Sequence, residues 1–237
     1  MLSINPTNSQ VILIGASRFE EKYLPSLPAV ENNIRGLRRL FAEPEIIGIP
    51  NDNITVMLNR LYEAEILPNL ITTIKKAQDA LFIYYAGCGI VGKNQELYLA
   101  TKNTMNSLLK YSALAFSTIK DMATRLASAN KIIFILDCSY SGRAIEESYT
   151  AKNKQIFTMT ATSASENAIA PPGATYSAFT NELLRILDKG IDNNQETLTL
   201  WDIYENVKNQ VIGKHFPVPC SVIFNGAHNL KIAKNRA

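Results

Sequence analysis

Short apolar runs alternate strictly with helical patterns along this chain, and this alternation limits its fold more than any other feature. The runs are rich in β-branched and aromatic residues and lie at 11–14, 54–58, 80–86, 131–136 and 156–160. Most of them are apolar on both faces, which is typical of strands in a parallel sheet that helices cover on both sides. Strands and helices in this order predict right-handed crossovers and an open, doubly wound α/β sheet.

The segments between and after the runs carry apolar residues at helical spacing. They lie at 31–41, 63–78, 116–129, 177–187 and 198–211. Gly190 can take the left-handed conformation that ends the fourth of these helices. A sixth strand is predicted at 218–224, where Pro217 and Pro219 favour an edge position. The sequence has no internal repeat and the polar stretch 192–196 is short, so a single domain over 1–237 is predicted.

Charge gives no indication of a nucleic-acid partner. The formal net charge is +3, from 24 Lys and Arg against 21 Asp and Glu, and the basic residues are scattered along the chain. A nucleic-acid binder would concentrate them on one face. A chain of this length buries roughly 70% of its unfolded surface, so no disulfide or structural metal is required for stability.

The pattern of apolar residues and cysteines predicts a cytoplasmic protein. No stretch approaches the roughly 20 apolar residues of a membrane span, and polar residues follow Met1 almost at once, so neither insertion nor secretion is expected. The three cysteines, Cys88, Cys138 and Cys220, are odd in number and lack the close pairing of a zinc site. That usage is typical of a reducing compartment.

Two strand ends carry small reactive residues, and ligands of open α/β sheets bind at the carboxyl ends of strands. The third run breaks at Gly87-Cys88-Gly89, and the fourth is followed by Asp137-Cys138-Ser139-Tyr140-Ser141-Gly142. From the residues alone, the first segment is either a tight turn with a buried cysteine or a functional turn. The second is either a helix cap provided by Asp or Ser, or a functional loop.

Together the two segments resemble the caspase family of peptidases. Residues 84–89 read Tyr-Tyr-Ala-Gly-Cys-Gly, where caspases, metacaspases and bacterial orthocaspases have a sequence like Tyr-Tyr-Ala-Gly-His-Gly. Residues 137–142 read Asp-Cys-Ser-Tyr-Ser-Gly, where metacaspase-like members have Asp-Cys-Cys followed by His or Tyr, Ser and Gly. The separation of the two segments matches the roughly 50 residues between the caspase histidine and cysteine.

The resemblance extends over most of the chain. Residues 11–17 and 27–33 are similar to the opening of bacterial caspase-like domains found in multi-gene immune or conflict systems, and 160–164 and 176–180 resemble the small-subunit region that forms one wall of the substrate cleft. It implies the caspase-haemoglobinase fold, a three-layer sandwich with a six-stranded, mostly parallel sheet whose last strand is antiparallel. It also implies a p20-like portion over about 1–150 and a p10-like portion over about 151–237.

The resemblance assigns roles to individual positions of the predicted site. Cys88 occupies the family's histidine position and Ser139 the position of its cysteine nucleophile. Gly87 and Gly89 would offer backbone N–H groups to an oxyanion. Asp137 matches a residue that helps form an acidic pocket for Arg or Lys, and Ser177 lies in the segment that lines the substrate cleft.

The cysteine at position 88 and the serine at position 139 predict that the chain does not cleave peptides. A serine hydroxyl attacks only beside a base, and an unperturbed thiol, with a pKa of about 8.5, is mostly protonated at neutral pH. The two histidines, His215 and His228, are far from both motifs in sequence and are expected to be exposed or satisfied surface residues. Loss of a catalytic member leaves a rate only about 10³ to 10⁴ above that in water.

No metal or other cofactor is predicted. Metacaspases often need calcium, but the acidic pairs Glu20-Glu21 and Glu146-Glu147 are isolated, as solvated surface residues usually are.

Three explanations of the two substitutions stay open. The chain is a natural pseudo-peptidase that binds a peptide or protein partner in a bacterial defence or signalling system. Alternatively, it is an Arg/Lys-specific cysteine endopeptidase disabled in the laboratory, or it performs unconventional chemistry: hydrolysis by Ser139, or redox chemistry of Cys88 with Cys138. Because adjacent strand residues point to opposite faces, Cys138 should face away from the cleft, which disfavours that disulfide.

Two further points concern the class of protein and its assembly. A receiver-like binding domain would need an acidic pair near the end of the first strand, where this chain has Gly15-Ala16-Ser17. The last strand could pair with a second copy, as in animal caspases, whereas metacaspases are usually monomeric. A monomer or weak dimer is therefore expected.

Overall fold

Six strands of one sheet form the centre of the molecule, which a computed structural model describes over residues 1–60, 63–145 and 153–237. In these ranges the strands are β1 (Gln10–Gly15), β2 (Ile54–Leu58), β3 (Ala80–Gly87), β4 (Gly89–Val91), β5 (Leu97–Ala100), β6 (Ala113–Ala115), β7 (Lys131–Cys138), β8 (Gln155–Thr160), β9 (Thr197–Thr199), β10 (Cys220–Phe224) and β11 (Lys231–Lys234). The α-helices are α1 (Ala29–Ala42), α2 (Glu63–Lys76), α3 (Leu109–Ser112), α4 (Phe116–Leu126), α5 (Ala178–Lys189) and α6 (Leu200–Gly213). None of these helices is long and apolar enough to cross a membrane.

The central sheet confirms the predicted architecture. Its strand order is β2-β1-β3-β7-β8-β10. The first five strands are parallel, and β10 pairs antiparallel with β8 at one edge. The chain moves outward from β1 to β2 and then returns to β3 on the other side of β1, so the strand order switches between β1 and β3. A ligand pocket is expected at the carboxyl ends of these two strands.

Two apolar layers cover the sheet because its strands alternate their side chains between the two faces. Val11 and Leu13 of β1 point into a core that includes residues of α1, α5 and α6. Ile12 and Ile14 point into a second core with residues of α2 and α4. The result is the predicted sandwich of a sheet between helices.

Local chemistry moves two of the predicted boundaries. The sixth strand of the sheet begins at Cys220, after Pro219, which has no N–H to donate to a strand partner. Helix α6 begins at Leu200, because the Thr199 hydroxyl accepts the Asp202 N–H while the Asp202 carboxylate accepts the Thr199 N–H. Residues 197–199 therefore form a short strand instead of the first turn of that helix.

The sequence patterns missed two small sheets and part of the geometry at Gly190. One small sheet has the order β4-β5-β6 and the other joins β9 to β11. Their strands of three or four residues are too short for periodicity to reveal.

Gly190 has the predicted positive φ of 79°, but its ψ of −172° lies outside the left-handed helical region. The predicted boundary between the p20-like and p10-like portions, near residue 150, lies outside the described residues.

A buried carboxylate fixes the chain segment that follows α6. Glu182 of α5 is 1% exposed and accepts hydrogen bonds from Lys214 at 2.5 Å and Arg185 at 2.9 Å. Burial by itself would raise the pKa of Glu182, but the bonds from Lys214 and Arg185 outweigh it and hold the pKa below its ordinary value. The ion pair thereby holds the end of α6 against α5.

Glu182→Gln is expected to lower the free energy of unfolding at pH 7 by about 1–2 kcal/mol, because the two cations lose a charged acceptor. A depressed pKa in the folded state contributes stability above the unfolded pKa, which is about 4.3 for Glu, and that contribution disappears as the pH falls through the folded value. Urea titrations should therefore show a smaller difference at about pH 3 than at pH 7. The control Glu205→Gln changes a more exposed pair with Lys208 at 3.8 Å and should cost under about 0.5 kcal/mol. A difference that is the same at both pH values would contradict this role.

Candidate active site

A pocket of about 440 Å³ opens at the carboxyl ends of the central strands, next to the switch in strand order. All six residues that the sequence predicted for the site line it: Gly87, Cys88, Gly89, Asp137, Ser139 and Ser177. Six residues of the stretch 23–30 form part of its wall, and 167–170 form another part. The structure thus brings together residues from both halves of the sequence, whereas their chemical roles stay predictions.

A tightly braced turn carries Cys88. The buried Tyr85 hydroxyl donates to the Cys88 carbonyl at 3.0 Å and to the Ala100 carbonyl at 2.9 Å, and the Ala100 N–H donates to the Cys88 carbonyl at 2.9 Å. A Cβ at Gly87 would lie 2.4 Å from the Tyr85 hydroxyl oxygen, and one at Gly89 would lie 1.9 Å from the Ser139 carbonyl oxygen. The Tyr85 ring therefore leaves no room for a side chain at Gly87, and the close approach of the end of β7 leaves none at Gly89.

The Cys88 thiol is held in its neutral form. It is half-buried, and burial raises the pKa of this thiol to about 12 because desolvation disfavours the thiolate. At neutral pH the group is therefore neither a base nor a nucleophile of useful strength.

Alkylation of Cys88 by iodoacetamide is expected to be slow at neutral pH and to accelerate with no plateau up to about pH 10. The thiolate is the reacting form, and its fraction rises roughly tenfold per pH unit while the pH is below the pKa. Peptide mass mapping of samples quenched at intervals gives the rate at this residue. In urea the same peptide should show a plateau near the unperturbed pKa of about 8.5. A plateau at that pH in the folded protein would contradict the effect of burial.

Ser139 lies at the tip of β7, against the segment that follows β8. Its hydroxyl oxygen accepts the Ala168 N–H at 3.1 Å. The next residue, Tyr140, has a φ of 56° in the left-handed region and donates its N–H to the Glu166 carbonyl at 2.8 Å. Bulky residues rarely adopt this backbone conformation, and such positions cluster at functional sites. The contact with 166–168 fixes the position of the Ser139 side chain.

Gly142 allows the same two segments to pack closely. A Cβ at this position would lie 2.5 Å from the backbone of Ser163 and Ala164. Beside it, Ser141 and Thr162 exchange hydrogen bonds through their hydroxyl and N–H groups at 3.1–3.2 Å. Arg143, whose role the sequence left undecided, donates to the Ala164 carbonyl at 3.2 Å.

Asp137 is a buried carboxylate at the base of the pocket, with 4% of its surface exposed. Its Oδ2 accepts hydrogen bonds from Ser177, from Thr180 at 2.5 Å, from Asn33 at 3.3 Å and from Tyr84 at 3.4 Å. Burial raises the pKa of Asp137, and the hydrogen bonds from Ser177, Thr180 and Tyr84 oppose that rise. Helix capping was one of the two interpretations of Asp137. The carboxylate contacts Ser177 and Thr180 at the start of α5, a helix that is distant from Asp137 in sequence.

Three residues around Asp137 were not identified as site residues from the sequence. Asn33 is fully buried, donates to the Ser177 hydroxyl at 2.8 Å and accepts the Ser177 N–H at 3.2 Å. Tyr84 and Thr180 share a hydrogen bond of 2.8 Å. The only available signal was their position inside segments 27–33, 84–89 and 176–180, which carry the resemblance. Their contacts with Asp137 and Ser177 join residues 43 to 144 positions apart, which periodicity does not record.

Cys138, His215 and His228 are not among the described residues that line the pocket, although the Cys138 sulfur lies close behind Gly89. Cys138 is fully buried in the core on the other face of the sheet, which confirms the predicted orientation. The expectation that both histidines are exposed or have satisfied hydrogen bonds is wrong for His228. This residue is half-buried with its ring edge-to-face on Trp201, and its Nδ1 is buried without a hydrogen-bond partner.

No metal site is apparent among the described residues, since they contain no group of three or more His, Cys, Asp or Glu side chains arranged to bind an ion. The predicted acidic pair Glu146-Glu147 lies outside those residues.

Comparison with known proteins supports the relationship that the motifs indicate. Among curated proteins, none matches this chain. The profile of the Peptidase_C14 caspase domain matches residues 9–224, from just before β1 to the end of β10. This range contains the entire central sheet and every residue of the pocket. The chain therefore belongs to the caspase domain family.

Proposed function

We propose that this chain is a caspase-like domain that binds a peptide or protein segment in its pocket without cleaving it. The observation that carries the proposal is a pocket that keeps the predicted site residues together but has no imidazole or amine for proton transfer among its described residues. Of the described residues that line it, none is His, Lys or Arg. A protonated thiol at position 88 occupies the place where a working relative has its imidazole.

Peptide hydrolysis requires a group that removes the nucleophile's proton and a group that protonates the leaving amine. The Cys88 thiol, with its pKa of about 12, performs neither step well at neutral pH. The Ser139 oxygen accepts the Ala168 N–H, and no basic side chain of the described pocket residues is there to activate it. Serine hydrolysis is therefore disfavoured. Redox exchange with Cys88 is disfavoured as well, because Cys138 lies on the opposite face of the sheet.

The chemistry of the pocket favours a segment with a basic side chain. Asp137 is the only acid among the described lining residues, and no base offsets its charge. Leu24, Pro25, Leu27 and Val30 supply an apolar wall that suits the aliphatic stem of such a side chain. On the resemblance of residues 11–17 and 27–33, we place the partner in a bacterial defence or signalling assembly in the cytoplasm.

Binding and cleavage can be measured on the same samples. Short labelled peptides with a central Lys or Arg should bind to the unaltered chain in fluorescence anisotropy, and mass spectrometry should detect no products. Asp137→Asn should weaken binding of the basic peptides. Cleavage by the unaltered chain that disappears in Ser139→Ala would contradict the proposal, because it would show that Ser139 is a working nucleophile.

A second candidate is an Arg/Lys-directed cysteine endopeptidase in a disabled form. It is favoured by one observation: the pocket, the braced turn at Cys88 and the hydrogen-bonded Asp137 are all present although the catalytic pair is not. Sequencing of the native gene separates the two candidates. The intact gene would encode His at position 88 and Cys at position 139 only if the second is correct.

A further inference from the structure

The hydrogen bonds of Asp137 are distributed unequally between its two oxygens. All four side-chain donors, from Asn33, Tyr84, Ser177 and Thr180, bond Oδ2. Among the described residues no side-chain donor bonds Oδ1, and one backbone N–H, that of Thr180, also bonds the carboxylate. A carboxylate oxygen has about two lone-pair sites, so the protein itself already saturates Oδ2. At most one oxygen of Asp137 is left to accept from a ligand.

This asymmetry distinguishes the two basic side chains. The planar guanidinium of Arg reaches its full strength with a carboxylate when two parallel N–H groups meet both oxygens. The ammonium of Lys is a compact point charge that needs a single acceptor. The described pocket residues include no second Asp or Glu that could accept from the other side of the guanidinium. Its remaining N–H groups would lose water without gaining a charged acceptor, which costs binding energy.

We propose that this pocket takes lysine in preference to arginine, and that Asn33, Ser177 and Thr180 set the preference by occupying Asp137 Oδ2. The proposal rests on the peptide-binding function above and names the class of segment that the site accepts. The three residues are specificity determinants that act through Asp137. Asn33 and Ser177 line the pocket beside it, while Thr180 is fully buried behind it in α5.

The test uses three labelled pools of short peptides, randomised except for a central Lys, Arg or norleucine, and anisotropy with the unaltered chain. Loss of one hydrogen bond of ordinary net strength corresponds to roughly five- to tenfold in affinity. The Lys pool should therefore bind about five- to tenfold more tightly than the Arg pool, and the norleucine pool most weakly. In Asp137→Asn the Lys pool should bind no more tightly than the norleucine pool.

Freeing Oδ2 should abolish the discrimination. Ser177→Ala combined with Thr180→Val removes two donors, so the Arg pool should approach the Lys pool to within about twofold. The control Thr72→Val alters a hydroxyl on α2, where it bonds the Pro68 carbonyl, and should leave the ratio unchanged. If the double variant does not fold, Ser177→Ala alone, checked by its thermal melting, should shift the ratio in the same direction.

Failure of the inference is distinguishable from failure of the proposed function. Arg peptides that bind the unaltered chain as tightly as Lys peptides would overturn the preference and leave peptide binding in place. Binding of none of the three pools would overturn the proposed function and the preference with it.

Discussion

Replacing Cys88 with histidine and Ser139 with cysteine in one chain is expected to raise its rate of peptide cleavage strongly. Both positions line the same pocket at the ends of β3 and β7. The first change supplies an imidazole with an ordinary pKa near 6.5 in place of a thiol with a pKa of about 12. The second supplies a nucleophile that reacts as a thiolate. Turnover of fluorogenic Lys peptides should rise by at least about a thousandfold.

The two single variants, Cys88→His and Ser139→Cys, are the matched controls. Catalytic groups that act as a unit are not additive, so each single variant should stay close to the unaltered chain. Thermal melting shows whether all three variants fold. A double variant that is folded, binds Lys peptides and does not cleave them would show that the ends of β3 and β7 do not present the two side chains in a productive geometry.

Gly89→Ala is expected to be the most destabilising single change in the pocket. The new methyl group would lie 1.9 Å from the Ser139 carbonyl oxygen, and that atom belongs to the backbone of β7's tip and cannot rotate away. Either the turn at Cys88 or the tip of β7 must move. Overpacking costs about 1–3 kcal/mol and occasionally more. Because a backbone has to shift here, a loss of about 3 kcal/mol is expected, and urea titration measures it.

Gly213→Ala provides the comparison. This glycine ends α6 and a Cβ there would have no neighbour within 4 Å, so the substitution should be neutral or stabilising by up to about 1 kcal/mol. Equal stability of Gly89→Ala and the unaltered chain would contradict the close approach of the two strand ends.

Several parts of the site were predictable because local patterns carry them. The apolar runs at 80–86 and 131–136 identified β3 and β7, and the glycines around Cys88 marked a turn at the end of the first of these. Parallel strands end at the same edge of a sheet, so Cys88 and Ser139 were expected to meet there, and both now line one pocket. The orientation of Cys138 followed from the twofold alternation of a strand.

Other parts were not predictable, because they depend on distances that the sequence does not encode locally. The hydrogen bonds that fix Asp137 come from α1, β3 and α5, and no spacing of residues indicated that these would converge on one oxygen. The bond from the Ala168 N–H to Ser139 belongs to a loop without any periodic pattern. The two small sheets were not predicted for another reason, since strands of three or four residues are too short to show a recognisable periodicity.

By itself the sequence determined the order of the central strands and of the helices that cover them, the faces that they bury, and the positions of a thiol and a hydroxyl at the ends of two neighbouring strands. These properties follow from the identity and local spacing of side chains. Only the tertiary structure decided the protonation of the pocket thiol and the number of carboxylate oxygens left to accept a hydrogen bond. Folding buries the Cys88 thiol, which raises its pKa, and it saturates a single oxygen of Asp137. Burial and hydrogen bonding depend on surroundings that come together only when distant segments pack, and they set the pKa values and the free hydrogen-bond acceptors of the pocket.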